Sequence, residues 1–176
     1  MGVSGPSPWV ARFASLVPPG GPVLDVAAGA GRHTRFFRAR GHPVTAVDRD
    51  TSGLADLRAD AGVEIVEFDL EAGAPFPFRG RPFDAVVVTN YLHRPILPDL
   101  VAAVAGGGVL LYETFARGHE RFGRPRRPEF LLEPGELLDA VHGGLRVIAY
   151  EDLILDEPEP RAVQRIAAVR PTPPVF

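Results

Sequence analysis

The chain has 176 residues, 45% hydrophobic and 23% charged, with a formal net charge of −3. That is the size and make-up of one ordinary globular domain spanning 1–176, and the acid excess argues against a general nucleic-acid binder. Cysteine is absent and all 19 Lys+Arg positions are arginine, which excludes disulfides, thiolate metal sites, a Cys nucleophile, a Schiff-base lysine and a phosphate-loop lysine.

The opening MGVSGPSPWVARF lacks the charged start and long apolar core of a secretory leader, and no apolar run is long enough to cross a bilayer. A cytoplasmic location is therefore expected. Trp9 and Phe13 predict a short helix anchored on the edge of a sheet.

From Pro22 the chain alternates strand-like and helix-like segments. Pro22 to Ala27 reads as a buried strand, followed by a Gly-rich turn and a helix from Gly31 to Arg40, with Phe36 and Phe37 on its inner side and Gly41 as its stop. Pro43 to Asp48 is the second strand. Thr51 is placed to cap a helix carrying Leu54, Leu57 and Ala61, which Gly62 ends. Val63 to Leu70 forms the third strand. After the Pro-rich GAPFPFRGRP, Phe83 to Asn90 forms the fourth.

A helix over Leu97 to Ala105 leads to a fifth strand at Val109 to Glu113. The Arg/Pro-rich segment 116–133 has no clear period and stands as a candidate substrate lid. Pro134 to Val141 reads as a helix opened by proline. LRVIAYEDLIL and RAVQRIAAV, joined by the turn-rich DEPEP, predict a closing antiparallel hairpin.

This order predicts an α/β fold, a Rossmann-like, doubly wound, seven-stranded and mostly parallel sheet with an antiparallel C-terminal strand. Such sheets bind ligands beyond the carboxyl ends of their strands. Along that edge fall Asp25, Asp48, Asp69, Asn90 and Glu113. An acid ending the second strand, about 20 residues past a Gly-rich turn, suits ribose hydroxyls. The turn itself has Gly29 and Gly31 but lacks the third glycine of a dinucleotide fingerprint, which disfavours the competing reading of an NAD(P)-dependent oxidoreductase. Asp25 before the turn suits a cationic ligand better than a diphosphate.

In this ordered set the sequence resembles the class I S-adenosylmethionine-dependent methyltransferases. VLDVAAGAG matches their first motif with Asp25, Gly29 and Gly31 in register and Ala27 where the first glycine usually falls. VTAVDRD, EFDLEAG, FDAVVVTNYLH and GGGVLLYETF match the motifs that follow. The resemblance implies S-adenosyl-L-methionine as cofactor, held by Asp25, Ala27, Gly29, Gly31, Asp48, Arg49, Asp69, Leu70 and Asn90. In it Asp48 takes the ribose hydroxyls, Asp69 faces the adenine amino group beside Leu70, and Asn90 lies under the methionine part. NYLHRPILP, YETFARGHERFGRP and EFLLEPGEL are similar to a small bacterial branch described as tellurite-resistance-like.

The acceptor side has less to go on. His93 is a general base or acceptor-orienting residue, or a histidine bonded to loop backbone. Tyr91, the other candidate catalytic residue, packs over the cofactor or lines the acceptor pocket, or serves packing alone. Arg94, Tyr112, Glu113 and Arg124 are candidate substrate contacts, the Arg-rich loop serving a small anion or standing solvated. The five histidines are scattered, so no metal site is expected. A small-molecule acceptor is the expected partner, and nothing in the sequence marks a partner copy. A non-catalytic module binding a nucleoside or a partner protein is the reading from another class.

Overall fold

The protein is described by a computed structural model over residues 5–174. Seven strands form one sheet: β1 (Val23–Val26), β2 (Val44–Asp48), β3 (Val63–Glu67), β4 (Phe83–Thr89), β5 (Val104–Phe115), β6 (Arg146–Leu155) and β7 (Arg161–Val169). Their order is β3-β2-β1-β4-β5-β7-β6. The first five strands run parallel, and β7 lies antiparallel between β5 and β6. The fold class read from the sequence is the one observed. The strand order reverses at β1, whose neighbours are β2 and β4, so a crevice opens there beyond the carboxyl ends.

Both faces of the sheet are covered, which is why β1 is buried along its whole length and β4 over most of it. On one face α1 (Pro8–Phe13) and α2 (Arg32–Ala39) pack on Val23, Ala85, Val109 and Leu111. On the other, α3 (Leu97–Ala102) and α4 (Glu136–Val141) pack on Leu24, Val86, Leu110 and Ile166. Phe37 is fully buried in the first layer, with Phe36 packed against it.

Several boundaries differ from the sequence reading. The segment after β2 is a 3-10 helix, Ser52–Ala59, and Thr51 does not cap it. The Thr51 hydroxyl instead donates to Glu67 Oε2 at 2.8 Å and accepts from Arg58 at 3.0 Å. Gly62 ends no helix; a Cβ there would meet the Arg38 guanidinium, which pairs with Asp60 through two bonds of 3.0 and 2.9 Å. Strand β5 starts at Val104, five residues before the expected Val109. Gly108 allows this, because a Cβ there would sit 3.0 Å from the carbonyls of Phe83 and Asp84. Helix α4 starts at Glu136 rather than Pro134, after Gly135 at φ +77°. Trp9 lies on the sheet face and not at its edge: its ring is buried, its Nε1 donates to the Ile166 carbonyl at 3.1 Å, and the Arg165 guanidinium stacks 4.7 Å above it.

Candidate active site

The turn after β1 is shaped by left-handed backbone. Ala27 has φ +52°, Gly29 +55° and Gly31 +76°. Two of the three are glycine, which adopts such angles at little cost, whereas alanine at Ala27 carries a steric penalty of about 1–2 kcal/mol. Gly31 is also a packing requirement, since a Cβ there would lie 2.5 Å from Leu54 Cδ2. No protein atom would touch a Cβ at Gly29; its open side faces outward.

The turn is held from the next strand end. Gly29 N–H donates to Asp48 Oδ2 at 2.8 Å, and Asp50 N–H donates to Asp48 Oδ1 at 3.0 Å. Asp69 stands two residues past β3 rather than at its end, with Oδ1 accepting from Glu71 N–H at 2.9 Å. Asp48 and Asp69, together with Ala27, Arg49, Leu70 and Tyr91, line a cavity of about 410 Å³. Five of the nine residues assigned from sequence to the cofactor, Ala27, Asp48, Arg49, Asp69 and Leu70, thus share one concavity with Tyr91, in the size range of small-molecule sites.

Asp25 has a different setting. It is buried, and Thr34 donates to its Oδ2 at 2.6 Å. Burial pushes its carboxyl up to about 6, against the Thr34 bond, which works in the other direction. Asp25 therefore ties α2 to β1 beneath the turn, instead of facing the cavity. His33 is buried beside it and accepts from Ser7 N–H at 3.0 Å. Burial, with the neighbouring Arg32 charge, drops its imidazole to about 4.

A second cavity of about 250 Å³ adjoins the first, lined by Asn90, Tyr91, Thr114, Phe115, Pro125 and Phe130 among others. Glu71, Tyr91 and Phe130 line both. Asn90 ends β4 in left-handed backbone, φ +53°. The Tyr91 hydroxyl is buried and has no hydrogen-bond partner among the described residues. Burial first, then the negative charges of Glu71, Asp69 and Asp48, push it well above its usual range, so it stays protonated.

The sequence-derived acceptor residues are not brought together. Arg94 is held away from the cavity: it forms two bonds to Glu136, of 2.6 and 2.9 Å, and donates to the carbonyls of Glu129 and Leu131 at 2.9 and 2.8 Å. Its role is to pin the 128–132 segment to the body. Tyr112 is buried, its hydroxyl donating to the Tyr91 carbonyl at 2.8 Å. Glu113 accepts from the Ser7 hydroxyl at 2.8 Å and from Arg165 at 3.1 Å, so it anchors the N-terminal segment. His93 precedes a 3-10 turn, Arg94–Ile96, and lines neither cavity. The Arg124 side chain is exposed, while its carbonyl accepts from His119 Nε2 at 2.9 Å.

The loop expected as a lid is fastened at its base. Ala116 bridges Leu132, Arg117 N–H donates to the Leu132 carbonyl, and Leu131 and Leu132 are fully buried. His119 stacks on Phe115 at 4.2 Å. These contacts set Pro125 and Phe130 against the second cavity. Sequence reasoning passed over Glu71, Phe115 and Phe130. Glu71 follows Asp69 closely enough to have been noticed, but Phe130 sits in a segment with no periodicity to single it out.

Against known proteins, the model of the family described as "Methyltransferase domain" matches residues 23–107. None of the curated proteins matches the chain by sequence. Among solved structures, TehB from Haemophilus influenzae is similar at 18% identity and a TM-score of 0.71, over 92% of this chain. This chain spans only 61% of the length of that protein. The 1,6-didemethyltoxoflavin-N1-methyltransferase of Burkholderia thailandensis, solved with 1,6-didemethyltoxoflavin and S-adenosylhomocysteine, is 21% identical with a TM-score of 0.69, covering 93% of this chain and 77% of that one. The glycopeptide N-methyltransferase MtfA, complexed with S-adenosyl-L-methionine, is 25% identical with a TM-score of 0.59 and 92% coverage of both chains.

Proposed function

We propose that the chain, whose residues 23–107 match the methyltransferase-domain family model, is a cytoplasmic S-adenosylmethionine-dependent methyltransferase acting on a small-molecule acceptor. The observation that carries the reading is the pairing of the Asp48 and Asp69 carboxylates in one cavity with Ala27 of the glycine turn, a turn that Asp48 also braces through the Gly29 amide. Carboxylates accept from hydroxyl and amino donors, so Asp48 holds the ribose and Asp69 the adenine amino group, with Leu70 against the ring. Arg49 closes the rim, and Ala27 to Gly31 lie along the amino-acid end. Asn90 turns the chain below it.

When bound, the cofactor supplies an electrophilic methyl on a sulfonium. The protein's share of the work is to align an acceptor lone pair with that methyl and keep water out, which is catalysis by proximity and orientation. Asp25 serves through Thr34, by fixing the start of α2 under the turn.

A dinucleotide reading meets a specific obstacle. The position of its third glycine is Thr34, buried with its hydroxyl on Asp25. A thermal-shift titration with S-adenosylmethionine, S-adenosylhomocysteine and NAD side by side tests the choice. Ligand at a hundred times its Kd should raise Tm by roughly 5–10 °C. A rise with NAD alone would overturn the reading.

A further inference from the structure

The second cavity has a chemistry of its own. Three of its walls are aromatic, Tyr91, Phe115 and Phe130, and its only formally charged lining residue is Glu71. No arginine of the 117–127 loop lines it. Arg117 pairs with Glu133 at 3.7 Å and Arg127 with Glu129 at 3.6 Å, while Arg121 lies 5.5 Å over the Phe122 ring. An anionic acceptor would meet a carboxylate and negative ring faces, whereas an amine would find both favourable. The volume of about 250 Å³ falls just under that of sites for drug-sized ligands, and so fits one or two rings.

Two polar groups stand where the cavities meet. Glu71 lines both, so its carboxylate borders the passage between cofactor and acceptor. Tyr91 lines both as well, its hydroxyl buried next to the Glu71 carboxylate.

We propose that the second cavity takes a flat aromatic or heterocyclic amine, whose ring lies among Tyr91, Phe115 and Phe130 and whose N–H is held by the Glu71 carboxylate, steadied by the neighbouring Tyr91 hydroxyl. The proposal rests on the methyltransferase reading. In the step, the nitrogen lone pair forms the new N–C bond and the methyl C–S bond breaks, its electron pair passing to sulfur. The surplus proton on nitrogen goes to Glu71 and on to solvent. Glu71 takes the place that the sequence offered to His93.

Calorimetry on protein loaded with S-adenosylhomocysteine tests this with three probes: 2-aminopyridine, its carboxylated analogue 6-aminonicotinate, and phenol. The amine should bind at least ten-fold tighter than either of the others. Glu71→Gln should shrink its advantage over 6-aminonicotinate to under three-fold. Tyr91→Phe should weaken 2-aminopyridine several-fold and, because Tyr91 lines the cofactor cavity too, S-adenosylhomocysteine by a smaller factor. Equal or tighter binding of 6-aminonicotinate or phenol, or no binding by any probe, would overturn the proposal alone. Failure of S-adenosylhomocysteine to bind in the loading titration would overturn the methyltransferase reading and the proposal with it.

Discussion

Asp48 Oδ2 lies 2.8 Å from the amide of Gly29, across 19 residues of sequence. One carboxylate therefore does two things. It braces the glycine turn from the side, and it stays partly open to the larger cavity, which it lines. A ligand engaging Asp48 meets a turn already set in shape, so less ordering remains to be done on binding.

Replacing Asp48 with Ala should weaken S-adenosylhomocysteine binding by roughly 10- to 100-fold, the scale of one or two charged hydrogen bonds at 1.5–3 kcal/mol. Asp48→Asn should recover part of this, because the amide oxygen still accepts from Gly29. Calorimetric Kd values for the two variants check the point. An Ala variant that binds like wild type would remove Asp48 from the site.

Ala27 is an alanine held at φ +52°. Ala27→Gly relieves steric strain of about 1–2 kcal/mol but adds unfolded-state freedom of about 0.4–1 kcal/mol. Stability should therefore stay level or rise by up to about 1.6 kcal/mol. Ala27→Val sets a β-branched side chain at the same angle and should lose 2 kcal/mol or more. Chemical denaturation of the pair reads both signs, and a stabilised Val variant would contradict the backbone assignment.

The mostly parallel sheet and the edge along which the cavities lie were legible because both follow from local pattern. Apolar runs mark the strands, and a parallel sheet sends every strand's carboxyl end to one side, so Asp48, Asp69 and Asn90 could be grouped without coordinates. Asp25 shows the limit of that logic. It ends a strand like the others, yet the same turn that opens over Gly29 covers it, and its partner is Thr34. Arg94 shows a second limit. Its partner Glu136 is 42 residues away on a helix from the opposite end of the loop, and no periodicity links them. Glu71 and Phe130 reach the cavities from loops whose course depends on such distant ties.

Arg94→Ala should release the 128–132 segment. The Arg94–Glu136 pair is partly exposed, with side chains 37% and 19% accessible, so solvent screening limits the global cost to roughly 1–2 kcal/mol. The local effect is larger: amide hydrogen exchange across 117–133 should accelerate while the β-sheet core stays protected. Arg94→Lys cannot reproduce the two-pronged bond and should behave nearer to Ala. Uniform exchange in the variant and the wild type would mean that the buried Leu131 and Leu132 hold the loop unaided.

His33 and Asp25 titrate in opposite senses over the same pH range. The fold lowers His33 from its ordinary 6.5 to about 4. Above pH 6.5 it is neutral folded or unfolded and costs nothing; as pH falls from 6.5 toward 4 the unfolded chain takes up the proton first, and stability is lost. The fold raises Asp25 from its ordinary 3.8 to about 6. Below pH 3.8 it is protonated in both states; as pH rises from 3.8 to 6 the unfolded chain releases the proton first, and stability is again lost. Between about pH 4 and 6 the two slopes nearly cancel, each being about 1.4 kcal/mol per pH unit. Replacing one partner should uncover the other. Measured as a difference from wild type, which removes the background of all other groups, His33→Gln should lose about 2–3 kcal/mol on going from pH 4 to 6. Asp25→Asn, which keeps an acceptor for Thr34, should gain a similar amount over the same interval. Urea denaturation at half-unit pH steps gives both curves. Two flat difference curves would mean that neither group titrates away from its ordinary range, and that the Ser7–His33 and Thr34–Asp25 contacts are open to water.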